Sequence, residues 1–322
     1  MLNSSQDVLT VEPLVSVGIP TYNRPDGLRR TLECITGQTY KNLEIIVSDN
    51  CSPGPGTEAV VREFMARDSR IQYYRQGENK GPTFNFKFVL EKATGEYFMW
   101  AADDDEWESH FIYRLLDFLI QNTNVAVSMC GIKRIDDFDN IIDIIHYRVL
   151  LQSDYNQFRL AFFAASHDVI VYYINGLYRT ILLKKFSKNL DNSFGKDLII
   201  LCELLLSAKM GYVNEVLYIR HIHLKGTAEL YSQEEIGKNY GDPFNYLKLF
   251  FNFGPYLLRS SNIPLKHKFW IPFMVIRQGV WVGGIYINRL FNIFLFFARK
   301  NSQIDKLITQ VSKKIKYQKR SD

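Results

Sequence analysis

Three adjacent carboxylates close an apolar run in Gly95-Glu96-Tyr97-Phe98-Met99-Trp100-Ala101-Ala102-Asp103-Asp104-Asp105. At the end of a strand, Asp103, Asp104 and Asp105 repel one another unless a cation collects them, and hard oxygen ligands with room for phosphates suit Mg2+ or Mn2+. An acidic surface turn is the plain alternative, and the apolar strand before the triplet and Trp107 after it argue against it. Asp49 ends the run Leu43-Glu44-Ile45-Ile46-Val47-Ser48-Asp49, where a carboxylate can also simply cap a turn. Asp197 heads an apolar stretch of helical spacing, a place the helix dipole favours for an acid. His221 and His223 flank Ile222, so on a strand they share a face.

The elements that must position these groups are legible as alternating periods. Val15 to Ile19 reads as a buried strand, followed by the turn Pro20-Thr21-Tyr22-Asn23 and a helix opening at Arg24-Pro25. Leu28, Leu32 and Ile35 mark one face of that helix, and Gly37 closes it. The pattern repeats with a strand at Leu43 to Val47 and a helix carrying Val60, Val61, Phe64 and Met65. A strand at Ile71 to Tyr74, a helix from Phe84 to Leu90 and a strand at Tyr97 to Ala101 follow. Four strands alternating with helices predict an α/β fold with a mainly parallel central sheet, with ligands at the carboxyl ends of its strands. Further on, a helix is expected near Phe111 to Ile120, strands at Val125 to Ile132 and Ile141 to Ile145, and a helix at Tyr155 to Ala165. Another helix runs from Lys196 to Lys209, closed by Gly211 before a strand from Tyr212 to Ile219. A turn into a helix is one of two equal accounts of Asn175-Gly176 and Tyr178-Arg179, the other being a loosely specified binding segment.

At 322 residues and 47% hydrophobic, the chain can fill one large domain with an appendage. The expected division is a polar segment 1–12, a domain 13–230 whose halves meet near residue 107 (13–107 and 108–230), and a helical, aromatic-rich extension 231–322. Residues 1–12 lack the basic start and apolar run of a secretory signal, which points to the cytoplasm. The four cysteines form no CxxC pair, so no zinc site or disulfide framework is expected. Of the net charge of +5, residues 299–322 carry +6 (eight Lys/Arg against two Asp), which leaves the body near neutral. No nucleic-acid-binding motif accompanies this tail, so no nucleic acid partner is expected. The tail follows the aromatic stretch Phe269 to Phe297, whose apolar pieces are all too short to span a bilayer. That stretch forms either core helices or a surface helix in peripheral contact with an anionic membrane at the inner face of the plasma membrane.

Residues 15 to about 223 resemble the family 2 glycosyltransferases, the inverting group with the GT-A nucleotide-sugar-binding fold. The resemblance rests on Val17-Gly18-Ile19-Pro20-Thr21-Tyr22-Asn23, Gln38-Thr39-Tyr40 with the strand ending at Asp49, Asn79-Lys80-Gly81 with Asn85, the Asp103 to Asp105 turn, Lys196-Asp197, and Arg220 with His221 or His223. It implies a nucleotide site at Pro20, Thr21, Tyr22, Asn23, Asp49, Asn79, Gly81, Asn85 and Asp103, with Asp49 facing a uracil-type base. It implies a metal site for Mn2+ or Mg2+ at Asp104 with Asp103, Asp105 and His223, and Asp197 as catalytic base. The family's usual Asp-x-Asp-Asp reads Ala102-Asp103-Asp104-Asp105 here, without its first carboxylate. The implied reaction passes a sugar from a nucleotide-sugar donor, by resemblance a UDP-sugar, to a hydroxyl of a saccharide or lipid-linked saccharide acceptor in cell-surface polysaccharide or glycolipid assembly. Rival readings are an inactive nucleotide-sugar-binding scaffold, suggested by Ala102, and a sugar-nucleotide pyrophosphorylase. The second would carry a Gly-rich, Arg-containing loop where Pro20-Thr21-Tyr22-Asn23 stands. The absence of GxGxxG after the first strand disfavours a dinucleotide oxidoreductase.

Overall fold

The computed structural model describes residues 12–146, 174–189, 196–222, 243–280 and 284. Strands β1 (Val15–Thr21), β2 (Leu43–Asp49) and β4 (Tyr97–Trp100) are buried along their whole length, as expected of strands covered on both faces. With β3 (Ile71–Arg75) they make a parallel sheet in the order β3-β2-β1-β4, in register through Val17↔Ile45 and Val17↔Met99. The chain fills one side of β1 and then crosses to the other to lay down β4. The carboxyl ends of β1 and β4 therefore flank a topological switch point, where ligands bind in open α/β sheets.

Helix α1 (Pro25–Thr36) starts with proline in its first turn and buries Leu28, Thr31, Leu32 and Ile35, the i, i+3, i+4, i+7 stripe of an amphipathic helix. Helices α2 (Gly56–Met65) and α3 (Pro82–Lys92) complete the crossovers, with Asn85, Val89 and Leu90 of α3 buried. The short strand β5 (Glu106–Trp107) then leads into α4 (Phe111–Gln121), which buries Phe111, Ile112, Leu115, Leu116 and Leu119.

Beyond α4 the pairing becomes mixed. The long strand β6 (Val125–Ile135) forms an antiparallel hairpin with β7 (Ile141–Ile145) and pairs in parallel with β9 (Lys209–His221). Between β4 and β6 lies β8 (Leu177–Arg179), antiparallel to both, so Tyr178-Arg179 enters the middle of the sheet and not a helix. The helix α5 (Thr180–Phe186) starts only after it. Helix α6 (Lys196–Ser207) ends two residues earlier than its apolar pattern suggests, and Lys209 already belongs to β9. Gly211 is accordingly a strand residue, not a helix stop. A Cβ there would lie 2.1 Å from Cε1 of Phe118, so its glycine serves the packing of α4 on the sheet. The helix expected at 155–165 lies outside the described residues.

Helix α7 (Pro243–Arg259) leans on α6, the helical residues 271–280 pack on α7 where Val275 meets Gly254 and Gly279 meets Phe250, and Leu249, Phe253, Leu257, Ile271 and Met274 join the hydrophobic core. Among the described residues, no helix is long and apolar enough to cross a membrane.

Candidate active site

The turn after β4 brings its acids against the end of β1 and the head of α1. The Thr21 hydroxyl donates to Asp103 Oδ2 at 2.8 Å, which pins the ends of β1 and β4 together at the switch point. Arg24, the residue before α1, reaches across with Nη1 at 3.2 Å from Asp103 Oδ1 and 3.0 Å from Asp104 Oδ2. Arg220 on β9 approaches from the opposite side, with Nη1 2.6 Å from Asp105 Oδ2 and 3.8 Å from Asp104 Oδ1. The three carboxylates are therefore collected by two guanidiniums. The sequence reading assigned that task to a metal and gave Arg24 no part in it.

The backbone of the turn is held by α1. Thr31 donates its hydroxyl to the carbonyls of Ala102 (3.0 Å) and Asp105 (3.3 Å). Gly27, one turn earlier, lets the helix lie directly on the Asp103 carbonyl. Asp105 is enclosed: the Tyr218 hydroxyl donates to its Oδ2 at 2.5 Å and itself accepts from Asn175 Nδ2 at 2.9 Å. The other oxygen, Oδ1, is buried without a hydrogen-bond partner among the described residues. Burial pushes Asp105 up to about 6 against the pull of Arg220. Asp103 is also pushed up to about 6, by burial opposed by Arg24 and reinforced by Asp104.

The other predicted nucleotide residues line the same strand ends. Pro20 is buried at the end of β1, Tyr22 is half-buried, and Asn23 is exposed in a left-handed conformation (φ 53°). Asp49 is fully buried. Its Oδ1 accepts from the Ser52 N–H (2.8 Å) and hydroxyl (2.6 Å), and its Oδ2 from the Tyr73 hydroxyl (3.0 Å). The capping reading of Asp49 is thus present in the structure beside any role towards a base, and Ser52 and Tyr73 are partners the sequence reading missed. The i, i+3 spacing of Asp49 and Ser52 was the available signal. Asn50 orders the loop of Asn79 and Gly81 by donating to Asn79 Oδ1 (2.7 Å) and the Gly81 carbonyl (3.1 Å). Asn85 donates to the carbonyls of Ser48 (2.8 Å) and Thr21 (3.2 Å), joining β1 to β2, and its Oδ1 has no partner among the described residues.

His221 ends β9 with Nε2 2.8 Å from Glu106 Oε1, while Arg220 beside it faces the acids. His223 lies outside the described residues. Asp197 stands in the first turn of α6, and its side chain is outside the described residues.

Among the described residues, no three His, Cys, Asp or Glu side chains converge as a metal cage. Ions of the Mg2+ type are instead commonly held by one or two carboxylates completed by substrate phosphates and water. The donors here fit that mode, because Asp103 and Asp104 present hard oxygens at 7% and 8% exposure.

The model of the family described as Glycosyl transferase family 2 matches residues 16–186, more than half of the chain. The protein belongs to glycosyl transferase family 2. Similar curated proteins include the putative teichuronic acid biosynthesis glycosyltransferase TuaG of Bacillus subtilis, 31% identical over 37% of this chain and 47% of that protein. Another is the GalNAc(5)-diNAcBac-PP-undecaprenol beta-1,3-glucosyltransferase of Campylobacter jejuni, 40% identical over 29% of this chain and 30% of that protein. Both matches span less than half of the relative's length. Among solved structures, S. aureus TarS 1-349 in complex with UDP-GlcNAc superposes with a TM-score of 0.59 at 16% identity, over 79% of this chain and 69% of that one. The mannosyltransferase PcManGT from Pyrobaculum calidifontis, in complex with GDP-Man and Mn2+, gives 0.53 at 15% identity, over 90% and 81%. At such identities the likeness shows the fold, which for this family 2 member is GT-A.

Proposed function

We propose that this family 2 protein is an inverting glycosyltransferase that moves a sugar from a UDP-sugar to a hydroxyl of a saccharide or lipid-linked saccharide acceptor. The observation that carries the reading is the Thr21–Asp103 contact of 2.8 Å at the β1/β4 switch point, which sets the acid turn where a nucleotide diphosphate would lie. In this reading the ends of β1 and β2, with Asp49 and Asn85, hold the nucleoside. Asp104 and Asp103 hold Mn2+ or Mg2+ together with the diphosphate, and Asp105 and Arg220 back them from behind. The ion, when bound, supplies charge neutralisation for the departing diphosphate. Asp197 takes the acceptor hydroxyl proton as that oxygen attacks the anomeric carbon from the far side, and a single displacement inverts the configuration. The test is a binding and hydrolysis screen of UDP-, dTDP- and GDP-sugars with Mn2+ or Mg2+. Stabilisation and turnover confined to UDP-sugars are expected, whereas binding without turnover on any acceptor would favour the scaffold reading.

The C-terminal helices support a peripheral position at an anionic membrane for the same enzyme. Ile271, Met274 and Gln278 face the core, while Phe269 (67% exposed), Ile276 (66%) and Val280 (72%) face outward, and Lys266 and Lys268 stand just before Phe269 in the chain. Apolar insertion and attraction to anionic lipid act together on such a surface. Flotation of the full chain with anionic, but not neutral, liposomes is expected, and a chain that stays unbound at low salt would refute this placement.

A further inference from the structure

Both oxygens of Asp104, the carboxylate assigned above to the metal, face a guanidinium. Arg24 is 3.0 Å from Oδ2 and Arg220 is 3.8 Å from Oδ1. The two arginines are not equivalent. Arg220 is anchored on Asp105, which is fully buried and is also held by Tyr218. Arg24 and Arg220 are about equally exposed (27% and 24%), so the difference lies in the anchor: Arg24 stands just before α1 and bridges Asp103 and Asp104, the two acids that retain some exposure. A divalent ion on Asp103 and Asp104 would take the oxygens that Arg24 holds and stand within a few ångströms of its positive charge, an arrangement Coulomb repulsion opposes.

We propose that Arg24 is an exchanging counter-ion. Without donor it neutralises Asp103 and Asp104 and keeps the acid turn formed. When a metal-bound nucleotide diphosphate enters, Arg24 releases the carboxylates and turns to the phosphates, which a guanidinium at a helix head is suited to bind. The site therefore disfavours metal alone and favours metal that arrives with the diphosphate. This inference rests on the metal-dependent reading above and adds a residue to it.

The test compares wild type with Arg24→Ala and Arg24→Lys. Mn2+ binding without nucleotide is read from the free-ion resonance signal, and UDP binding at saturating Mn2+ by calorimetry. Removing the competing charge should tighten Mn2+ binding by Arg24→Ala about tenfold, and loss of the phosphate contact should weaken UDP about tenfold. Arg24→Lys should fall between, and Arg24→Gln carries the same comparison if the alanine variant does not fold. The two affinities must move in opposite directions, since a merely structural Arg24 would weaken both. Unchanged or weaker Mn2+ binding in the variants, with wild-type UDP binding dependent on metal, overturns the exchange alone. Wild-type UDP affinity that is equal with and without Mn2+ overturns the metal-dependent reading and the exchange with it.

Discussion

A Cβ on Gly27 would lie 2.1 Å from the carbonyl oxygen of Asp103, so the backbone of α1 rests on the backbone of the acid turn with no side chain between them. Neither partner is a flexible side-chain end, so the contact cannot be relieved cheaply. Gly27→Ala should push the turn away from Thr21 and Thr31. We expect a stability loss of about 1–3 kcal/mol and UDP affinity reduced by tenfold or more, read by thermal unfolding and calorimetry. A variant with wild-type nucleotide affinity would show that the turn tolerates displacement.

Asp104→Asn tests the metal assignment. The amide keeps the shape and much of the hydrogen bonding while removing the charge that faces Arg24 and Arg220. The fold should persist, with metal-dependent UDP binding reduced at least tenfold and metal-independent binding little changed. Equal loss in EDTA and in Mn2+ would reassign Asp104 to the turn's structure.

Asp197→Asn tests the base. Turnover should fall by about two to four orders of magnitude, with donor binding retained because in the proposed mechanism Asp197 acts on the acceptor hydroxyl and not on the nucleotide. Transfer at the wild-type rate would remove Asp197 from the mechanism.

Glu44 gives a pH-dependent stability signal remote from the acid turn. Its Oε1 accepts from the Ser16 hydroxyl (2.5 Å), the Thr94 N–H (2.6 Å) and hydroxyl (2.9 Å), and the Gly95 N–H (3.0 Å). Burial raises this carboxyl, but the four hydrogen bonds outweigh it and hold it below the ordinary glutamate value. A group depressed on folding contributes stability above its unfolded pKa and loses it as pH falls through the folded one. Glu44→Gln should therefore cost about 1–3 kcal/mol at pH 7, with the gap to wild type narrowing below the usual glutamate range. Urea denaturation at pH 7 and at pH 3.5 checks both the size and the sign.

The sheet's first four strands were legible because β1, β2 and β4 are buried on both faces and so appear as unbroken apolar runs between helices. β2 and β4 end at or just before the acids that draw attention to them. β8 was not legible. Three residues, Leu177–Arg179, carry no periodicity, and the strand is specified by its neighbours Tyr97, Phe98, Val127 and Ser128, far away in sequence. Gly211 read as a helix stop because its reason, Phe118, lies on a helix packed across the sheet. Arg24 escaped notice for the same cause: its carboxylate partners are 79 and 80 residues downstream. Motif spacing located the acids, but their counter-charges depend on which strand ends the topology brings together.

The placement of β8 has a mechanical consequence. Its pairs Tyr97↔Arg179 and Val127↔Tyr178 stitch the early strands to the late ones, and Arg179 fastens the seam by donating to Tyr97 Oη (3.0 Å), the Val125 carbonyl (3.0 Å) and the Leu119 carbonyl (2.7 Å). A sheet sewn this way leaves its early and late strands no open seam along which to part. It also makes the early strands a poor candidate for life as a fragment. A chain cut after Trp107 would bare the side of β4 that β8 covers, an apolar ribbon edge inviting association with other copies.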